Sequence, residues 1–331
     1  MTFVDALRAL ADPSRLRIMR LLTRMELAVG ELAQVLGQSQ PRVSRHIRIL
    51  CDAGLAERRR EGSWVFLRSL IGEAASPLAA NLAALLDRGE GADAAFAAQA
   101  EADRLRLGQI RNTREARAAE YFARHAAEWD TLRSLHIADG PVEAALTGLL
   151  GAGEPGLPLG RFLDVGTGTG RMAELFAPSA GQVVALDNSP DMLRLARARL
   201  QHLPPARVEL VQGDFAALPF PDASFDTVLF HQVLHYAQAP EAVLAEAARV
   251  TRPGGRLAIV DFAPHQHEEL RDRHAHARLG FSDAQIDSLL GGAGFAAVAR
   301  QALAGRELTV MIWTAERCGG AVARLPWRQR A

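Results

Sequence analysis

Lysine is missing from this chain: its 38 basic residues are all arginine, set against 38 acidic ones. That absence disfavours a Walker-type phosphate loop, which closes on G-K-S/T. Cysteine is almost as scarce, with only Cys51 and Cys318, far apart, so neither a disulfide framework nor a zinc module is on offer. No uncharged apolar run reaches the roughly 18 residues needed to cross a bilayer. Asp5 and Arg8 stand where a secretory signal would need its apolar core. These absences predict a soluble protein of the reducing cytoplasm with no membrane partner.

Apolar residues, by contrast, make up 49% of the 331 positions, enough for two cores, and the length suits two domains. The formal net charge of zero is unevenly laid out. Residues 1–72 carry 12 arginines and 7 acidic residues, the rest of the chain 26 and 31. A basic head on an acidic body fits a head that meets a polyanion. The predicted organisation is a head over 1–90, a helical connector and cap over 91–140, a body over 141–318 and a basic tail over 319–331.

In the head, "VGELAQVL" (29–36) reads as a short helix ended by Gly37, since glycine tolerates the left-handed conformation after a helix. Ser39 is placed to cap the next helix and Pro41 falls in its first turn. Val43, Ile47 and Leu50 then form an apolar stripe, while Arg42, Ser44, Arg45 and Arg48 take the opposite side. Helix, tight turn and cation-faced helix form a helix-turn-helix pattern. Beyond Gly54, "LAERRREGSWVFLRSL" reads as a hairpin wing with Arg58, Arg59 and Arg60 on its first arm. The arginine triplet alone would be a solvated face. Together with the helices and the charge asymmetry it predicts DNA binding.

The segments "LRALADPSRLRIMRLL" and "ELAVGELAQVLGQSQPRVSRHIRILCDAGLAERRREGSWVFLRSL" resemble the ArsR-type winged-helix repressors. The resemblance implies a homodimer on a two-fold operator, with the helix at about 39–52 in the major groove. Gln40, Arg42, Ser44, Arg45 and His46 match the positions that usually face DNA; His46, at the edge of the apolar stripe, could equally be packed or on phosphate. Where metal-sensing relatives carry two cysteines, this chain has Ala28 and Gly30. Soft metals and arsenite want thiolates, so this head takes its signal from elsewhere.

The connector is rich in good helix formers. Leu78, Leu82, Leu85 and Leu86 suit either dimer pairing or packing within the chain. Tyr121, Phe122 and Trp129 form an aromatic cluster that anchors this helix on the body, with a lid over a ligand pocket as the sharper reading.

The body opens with "GRFLDVGTGTGRMAELFA" (160–177), a buried strand running through a glycine turn into a helix. In a dinucleotide fingerprint, G-x-G-x-x-G, the third glycine would fall on Arg171; here it is Gly170, giving D-x-G-x-G-x-G. A second strand ends at Asp187, where a carboxylate can accept hydrogen bonds from ribose hydroxyls; a third ends at Gly213 and Asp214, a fourth lies at about 227–230, and a fifth within 249–262. Strands alternating with helices predict a doubly wound parallel sheet whose ligands sit at the carboxyl ends of the strands. Asp164, Asp187, Asp214 and His231 lie at such ends.

This ordered set resembles the class I S-adenosylmethionine-dependent methyltransferases over roughly 160 residues, an α/β Rossmann-like fold. The resemblance implies that Gly166, Thr167, Gly168 and Gly170 hold the methionine part of the cofactor. Asp187 would hold the ribose, Asn188 and Met192 would lie beside the adenosine, and Asp214 and Phe215 would face the adenine. His231 and Gln232 would line the methyl side, with His231 the candidate catalytic residue and Asp164 and Gly213 completing the site. His231 and His235, four apart, could share a helical face. "FHQVLHY" in place of an "NPPY"-type motif disfavours methylation of DNA and favours a small-molecule acceptor. The histidines at 265, 267, 274 and 276 include no pair at i, i+4, so the segment reads as a substrate-proximal lid or interface helix rather than a metal site.

Taken whole, winged helix, connector and methyltransferase body resemble a group of ArsR-type regulators with a fused methyltransferase-like domain. That implies a DNA-binding regulator that senses S-adenosylmethionine or S-adenosylhomocysteine, methylates a small molecule, or does both. The alternative is an active methyltransferase whose head serves autoregulation or protein docking.

Overall fold

A computed structural model describes residues 3–61, 64–71, 77–125, 138–152, 159–204 and 206–319. Trp129 and the basic tail beyond residue 319 lie outside the described residues. The chain divides into two compact units, residues 1–116 and 117–331, a division that falls inside the helix Ala94–His125.

In the first unit, the helices Phe3–Leu10, Pro13–Leu22, Val29–Leu36 and Gln40–Asp52 pack with a small sheet of β1 (Leu27–Ala28), β2 (Ala56–Glu61) and β3 (Trp64–Ser69), ordered β1-β3-β2. Gly37 ends the third helix at φ 64°, as its lack of a side chain allows. Ser39 occupies the cap position of the next helix, but its side chain makes no capping hydrogen bond. Val43, Ile47 and Leu50 are buried in a core with Leu32, Leu36 and Leu67. The wing is an antiparallel pair with Glu61 opposite Trp64.

The helix Pro77–Ala92 joins that core through Leu82 and Leu86, and the helix Ala94–His125 does so through Leu107. Leu82 and Leu86 therefore pack within the chain, whereas Leu85 is exposed. Polar clamps reinforce this. Arg17 forks onto Asp103, with Nε to Oδ2 at 2.7 Å and Nη2 to Oδ1 at 2.6 Å. Arg20 bonds Asp87 at 2.6 Å and also holds Glu90, which Arg104 reaches at 2.9 Å. Arg106 Nη1 donates to the carbonyl of Val35, in the last turn of the helix Val29–Leu36.

The second unit is built on a seven-stranded sheet, ordered β6-β5-β4-β7-β8-β10-β9. Its strands are β4 (Arg161–Val165), β5 (Gln182–Asp187), β6 (Val208–Gln212), β7 (Phe225–His231), β8 (Thr251–Phe262), β9 (Phe295–Ala304) and β10 (Thr309–Arg317). The pairs β4–β5, β5–β6, β4–β7 and β7–β8 are parallel; β10 runs antiparallel to β8 and β9. This is a mixed, doubly wound α/β sheet, and the β9–β10 hairpin was not expected from the sequence. One face packs on the helices Pro240–Val250 and Asp283–Ala293. The other packs on Asp139–Leu150, Arg171–Phe176 and Pro190–Leu200. The strand order reverses at β4, with β5 and then β6 on one side and β7 and then β8 on the other. Open sheets of this type bind ligands in the crevice at that switch point.

Candidate functional site

The crevice is a cavity. The end of β4 supplies Asp164 and the turn after it Gly166, Thr167, Gly168 and Thr169; the end of β5 and the residues behind it supply Leu186, Asp187, Asn188 and Met192. Gly213 and Phe215 come from beyond β6, His231 from the end of β7, and Gln232, Val233 and Tyr236 from beyond it, with Arg171, Met172 and Phe122 completing the wall. The turn is shaped for close approach. Gly166 has φ +70°, and a Cβ there would sit 2.5 Å from Val233 Cγ2. Buried Asp164 accepts the Thr167 hydroxyl at 2.6 Å, which braces the turn from beneath. Asp187 Oδ2 accepts the Gly168 N–H and Oδ1 the Ser189 N–H, both at 2.9 Å. Burial pushes the Asp187 carboxyl above the usual aspartate range, and those N–H donors oppose it.

Two of the expected residues stand elsewhere. Gly170 is absent from the cavity wall: it begins the helix Arg171–Phe176 at φ +86°, and a Cβ there would press on Leu200 and Ala196 at 3.0–3.1 Å. A side chain there would disturb the packing of this helix on the helix Pro190–Leu200. Asp214, between the lining residues Gly213 and Phe215, is exposed and accepts the Ala216 N–H at 2.9 Å in a turn.

His231 and His235 do not share a helical face. His231 ends β7, the chain bends at Gln232 with φ +54°, and His235 lies in the short 3-10 turn Leu234–Tyr236. A positive φ on a non-glycine residue costs energy and is concentrated at functional sites; Gln232 lines the cavity.

Sequence reasoning placed Phe122 in an aromatic cluster that anchors its helix, with a lid over a ligand pocket as the sharper reading. Here its ring meets that of Tyr236 edge-on at 4.8 Å, and the Tyr121 hydroxyl lies 2.7 Å from His274 Nδ1. Burial raises the Tyr121 hydroxyl pKa and, well above its ordinary value, that of Tyr236. Thr169, Arg171, Met172, Leu186 and Val233 were not foreseen at the cavity; they flank expected residues. Among the described residues, no cluster of His, Cys, Asp or Glu could hold a metal ion.

In the first unit, Gln40, Arg42, Ser44 and Arg45 are exposed along one side of the helix Gln40–Asp52. Arg58 and Arg60 are exposed on β2. Two predicted contacts are turned away. His46 is largely buried, with Nδ1 3.7 Å from Asp12, so it packs. Arg59 points to the other face of its strand, gripping both oxygens of Glu26 at 3.1 Å with its guanidinium 5.4 Å from the Phe66 ring centre.

Residues 12–58 match the family described as bacterial regulatory protein, arsR family, and residues 163–259 match the methyltransferase domain family. The chain joins an ArsR-family helix-turn-helix region to a methyltransferase domain. A demethylmenaquinone methyltransferase of Renibacterium salmoninarum is 40% identical over 107 residues, 32% of this chain and 43% of that protein. A malonyl-acyl-carrier-protein O-methyltransferase of Serratia marcescens is 34% identical over 154 residues, 46% of this chain and 56% of that protein. The chain thus covers less than two thirds of either relative. A solved 1,6-didemethyltoxoflavin-N1-methyltransferase of Burkholderia thailandensis, with S-adenosylhomocysteine bound, is 26% identical; the match covers 62% of this chain and 89% of that one, at a TM-score of 0.48. The methyltransferase family match spans the cavity residues from Asp164 to His231 and Tyr236, and the arsR family match spans Gln40 to Arg58. No described helix is long and apolar enough to cross a membrane.

Proposed function

We propose that this chain is a DNA-binding regulator whose methyltransferase domain binds S-adenosylmethionine, transfers its methyl group to a small molecule, and reports cofactor or S-adenosylhomocysteine occupancy to the head. The observation that carries the reading is the Gly168–Asp187 hydrogen bond, at 2.9 Å, inside the cavity. It joins the closest-approach turn to a buried carboxylate, the pair a molecule with both a charged chain and a ribose requires.

The residues present fit that cofactor. Gly166 and Gly168 would pass its methionine part, Asp187 its ribose, and Leu186, Met192 and Phe215 its base, with Asn188 alongside. When bound, the cofactor supplies a methyl group on a sulfonium. His231, Gln232, Val233, Tyr236 and Phe122 would then wall the methyl side and exclude water, and positioning of this kind supplies much of the rate of an in-line displacement. In the head, Gln40, Arg42, Ser44, Arg45, Arg58 and Arg60 would meet the operator, in a homodimer.

Sensing is supported by the head's lack of thiolates at Ala28 and Gly30, where metal-sensing relatives carry them. Linkage demands that the ligand bind the DNA-competent and DNA-free states unequally. The test is operator-length DNA binding, by anisotropy, across titrations of S-adenosylmethionine and S-adenosylhomocysteine. A shift in DNA affinity is expected with at least one ligand. Unchanged affinity at saturation of both would end the sensor reading, and no label transfer from methyl-labelled cofactor into a metabolite extract would end the enzymatic one.

A further inference from the structure

Within the first unit, one side of the helix Ala94–His125 turns to the head at helical spacing: Asp103, Arg106 with Leu107, then Ile110 with Arg111. Asp103 takes the Arg17 fork, Leu107 is buried in the core, and Ile110 packs against that core. The same side holds the helix Val29–Leu36 at both ends. Arg106 Nη1 donates to the Val35 carbonyl at 3.1 Å, where a cation suits the end of a helix. Arg111 Nε lies 3.5 Å from Oε1 of Glu31, in the first turn. The two helices thus run antiparallel, tied by one arginine at each end.

The tie at Glu31 is unlike the others. Glu31 is 3% exposed, and its Oε2 accepts the Ala28 N–H at 2.9 Å, which closes the first turn. The Arg111 side chain is 11% exposed, yet its Nε and Nη2 make no hydrogen bond among the described residues. Buried donors left in that state are costly and call for an explanation. The Arg17–Asp103 fork, by contrast, uses both carboxylate oxygens, at 2.6 and 2.7 Å. The turn held by the weaker tie matters to the DNA face. Ala28, Val29 and Gly30 wall a groove that Gln40, Ser44 and Arg58 line as well.

We propose that Arg111 and Glu31 form a clasp through which the helix Ala94–His125 sets the DNA affinity of the head. Closed, the clasp holds the first turn of the helix Val29–Leu36 as a wall of the DNA groove. Open, it lets that wall shift, and the head binds DNA less tightly. This rests on the DNA-binding reading above. The pair has the balance that a switch needs. Its attraction in a poorly solvated site is offset by the lost hydration of both charges, and no hydrogen bond between the two side chains has to break for it to open. A modest bias on the helix Ala94–His125 then moves the population from one state to the other. The hydrogen-bonded fork at Asp103 keeps that helix attached to the head while the clasp opens.

The test uses the full chain and a fluorescein-labelled duplex selected on the wild type from a random-sequence pool, with binding read by anisotropy. The variants are Arg111→Met, Glu31→Gln and the two combined. Glutamine keeps an oxygen for the Ala28 N–H, as capping boxes allow. Charge alone predicts opposite signs: losing an acid beside the groove favours a polyanion, and losing an arginine disfavours it. The clasp predicts a loss in both single variants, of about tenfold, the usual scale of coupling between sites. The double variant should lose no more than either, because the same contact is gone in all three. Circular dichroism shows which variants are folded. If Arg111→Met is not, Glu31→Gln decides alone, since the charge effect would raise its affinity and the clasp lowers it. Unchanged affinity, opposite signs, or losses that add in the double variant overturn the proposal. A wild type that selects no duplex at low salt overturns the DNA-binding reading itself and is seen before any variant is tested.

Discussion

One carboxylate in the second unit closes two turns at once: Asp187 takes the N–H of Gly168 on one oxygen and the N–H of Ser189 on the other, both at 2.9 Å. Burial makes its charge costly, and a ligand hydroxyl that donates to it recovers part of that cost. Asp187→Asn keeps one acceptor oxygen and removes the charge. Charge-assisted hydrogen bonds contribute about 1.5–3 kcal/mol, so S-adenosylmethionine affinity should fall roughly ten- to a hundredfold. Calorimetric titration checks this, alongside circular dichroism to show that the fold is kept. Unchanged affinity would place the ribose elsewhere.

Neighbouring arginines on the wing should behave differently. Arg58 is exposed on the same side of β2 as Arg60, while Arg59 is occupied by Glu26 and Phe66. If Arg58 meets a phosphate, Arg58→Ala should weaken DNA binding and reduce the slope of log affinity against log salt by about 0.9, one phosphate contact's worth. Arg59→Ala should leave that slope unchanged and cost the head at most about 1 kcal/mol, as a partly exposed ion pair does. Anisotropy at several salt concentrations separates the two, and equal slopes in both variants would refute the assignment of faces.

The features legible in the sequence are those written in short spacings. The turn carrying Gly166 and Gly168 and the stripe of Val43, Ile47 and Leu50 follow from local sterics and helical period, and the structure places them as expected. Long-range partners leave no such trace. Asp261 meets His235 because β8 lies beside β7, with Val260 opposite His231, and nothing near either residue announces the pairing. Glu26 takes Arg59 out of the basic triplet across 33 positions. The spacing of His231 and His235 misled because the backbone leaves the strand at Gln232 with a positive φ, which no periodicity encodes. β9, half of it alanine and exposed along most of its length, has only Phe295 and Val298 as strand-forming residues to betray it.

The Arg17–Asp103 fork should carry much of the hold of the helix Ala94–His125 on the head. Asp103 is 3% exposed and also accepts from Gln99 Nε2 at 3.0 Å. Asp103→Ala would strand a mostly buried guanidinium, a change that costs about 3–5 kcal/mol when pairs are fully buried; the 19% side-chain exposure of Arg17 argues for the lower end. Replacing both partners with apolar residues, Arg17→Met with Asp103→Leu, should recover most of that loss. Amide exchange in the helix Pro13–Leu22 reads the effect locally. A double variant as unstable as Asp103→Ala would mean that the fork is not the source of the hold.

Acid should loosen the second unit through His265. Its pKa is lowered from 6.5 to about 4, first by burial and then by His267, His235 and Arg271, while Asp261 acts in the opposite sense. The folded state therefore favours the neutral ring. Between about pH 6.5, the unfolded midpoint, and about pH 4, the unfolded chain binds the extra proton. Stability is then full above that window and declines as pH falls through it. Substituting His265→Gln removes this titration, so the difference in urea midpoint between variant and wild type should shift in the variant's favour as pH drops through the window and level off below it. Carboxylates that titrate in the same range act on both proteins and cancel in the difference. A difference that stays flat with pH would show that His265 protonates alike in the folded and unfolded chain.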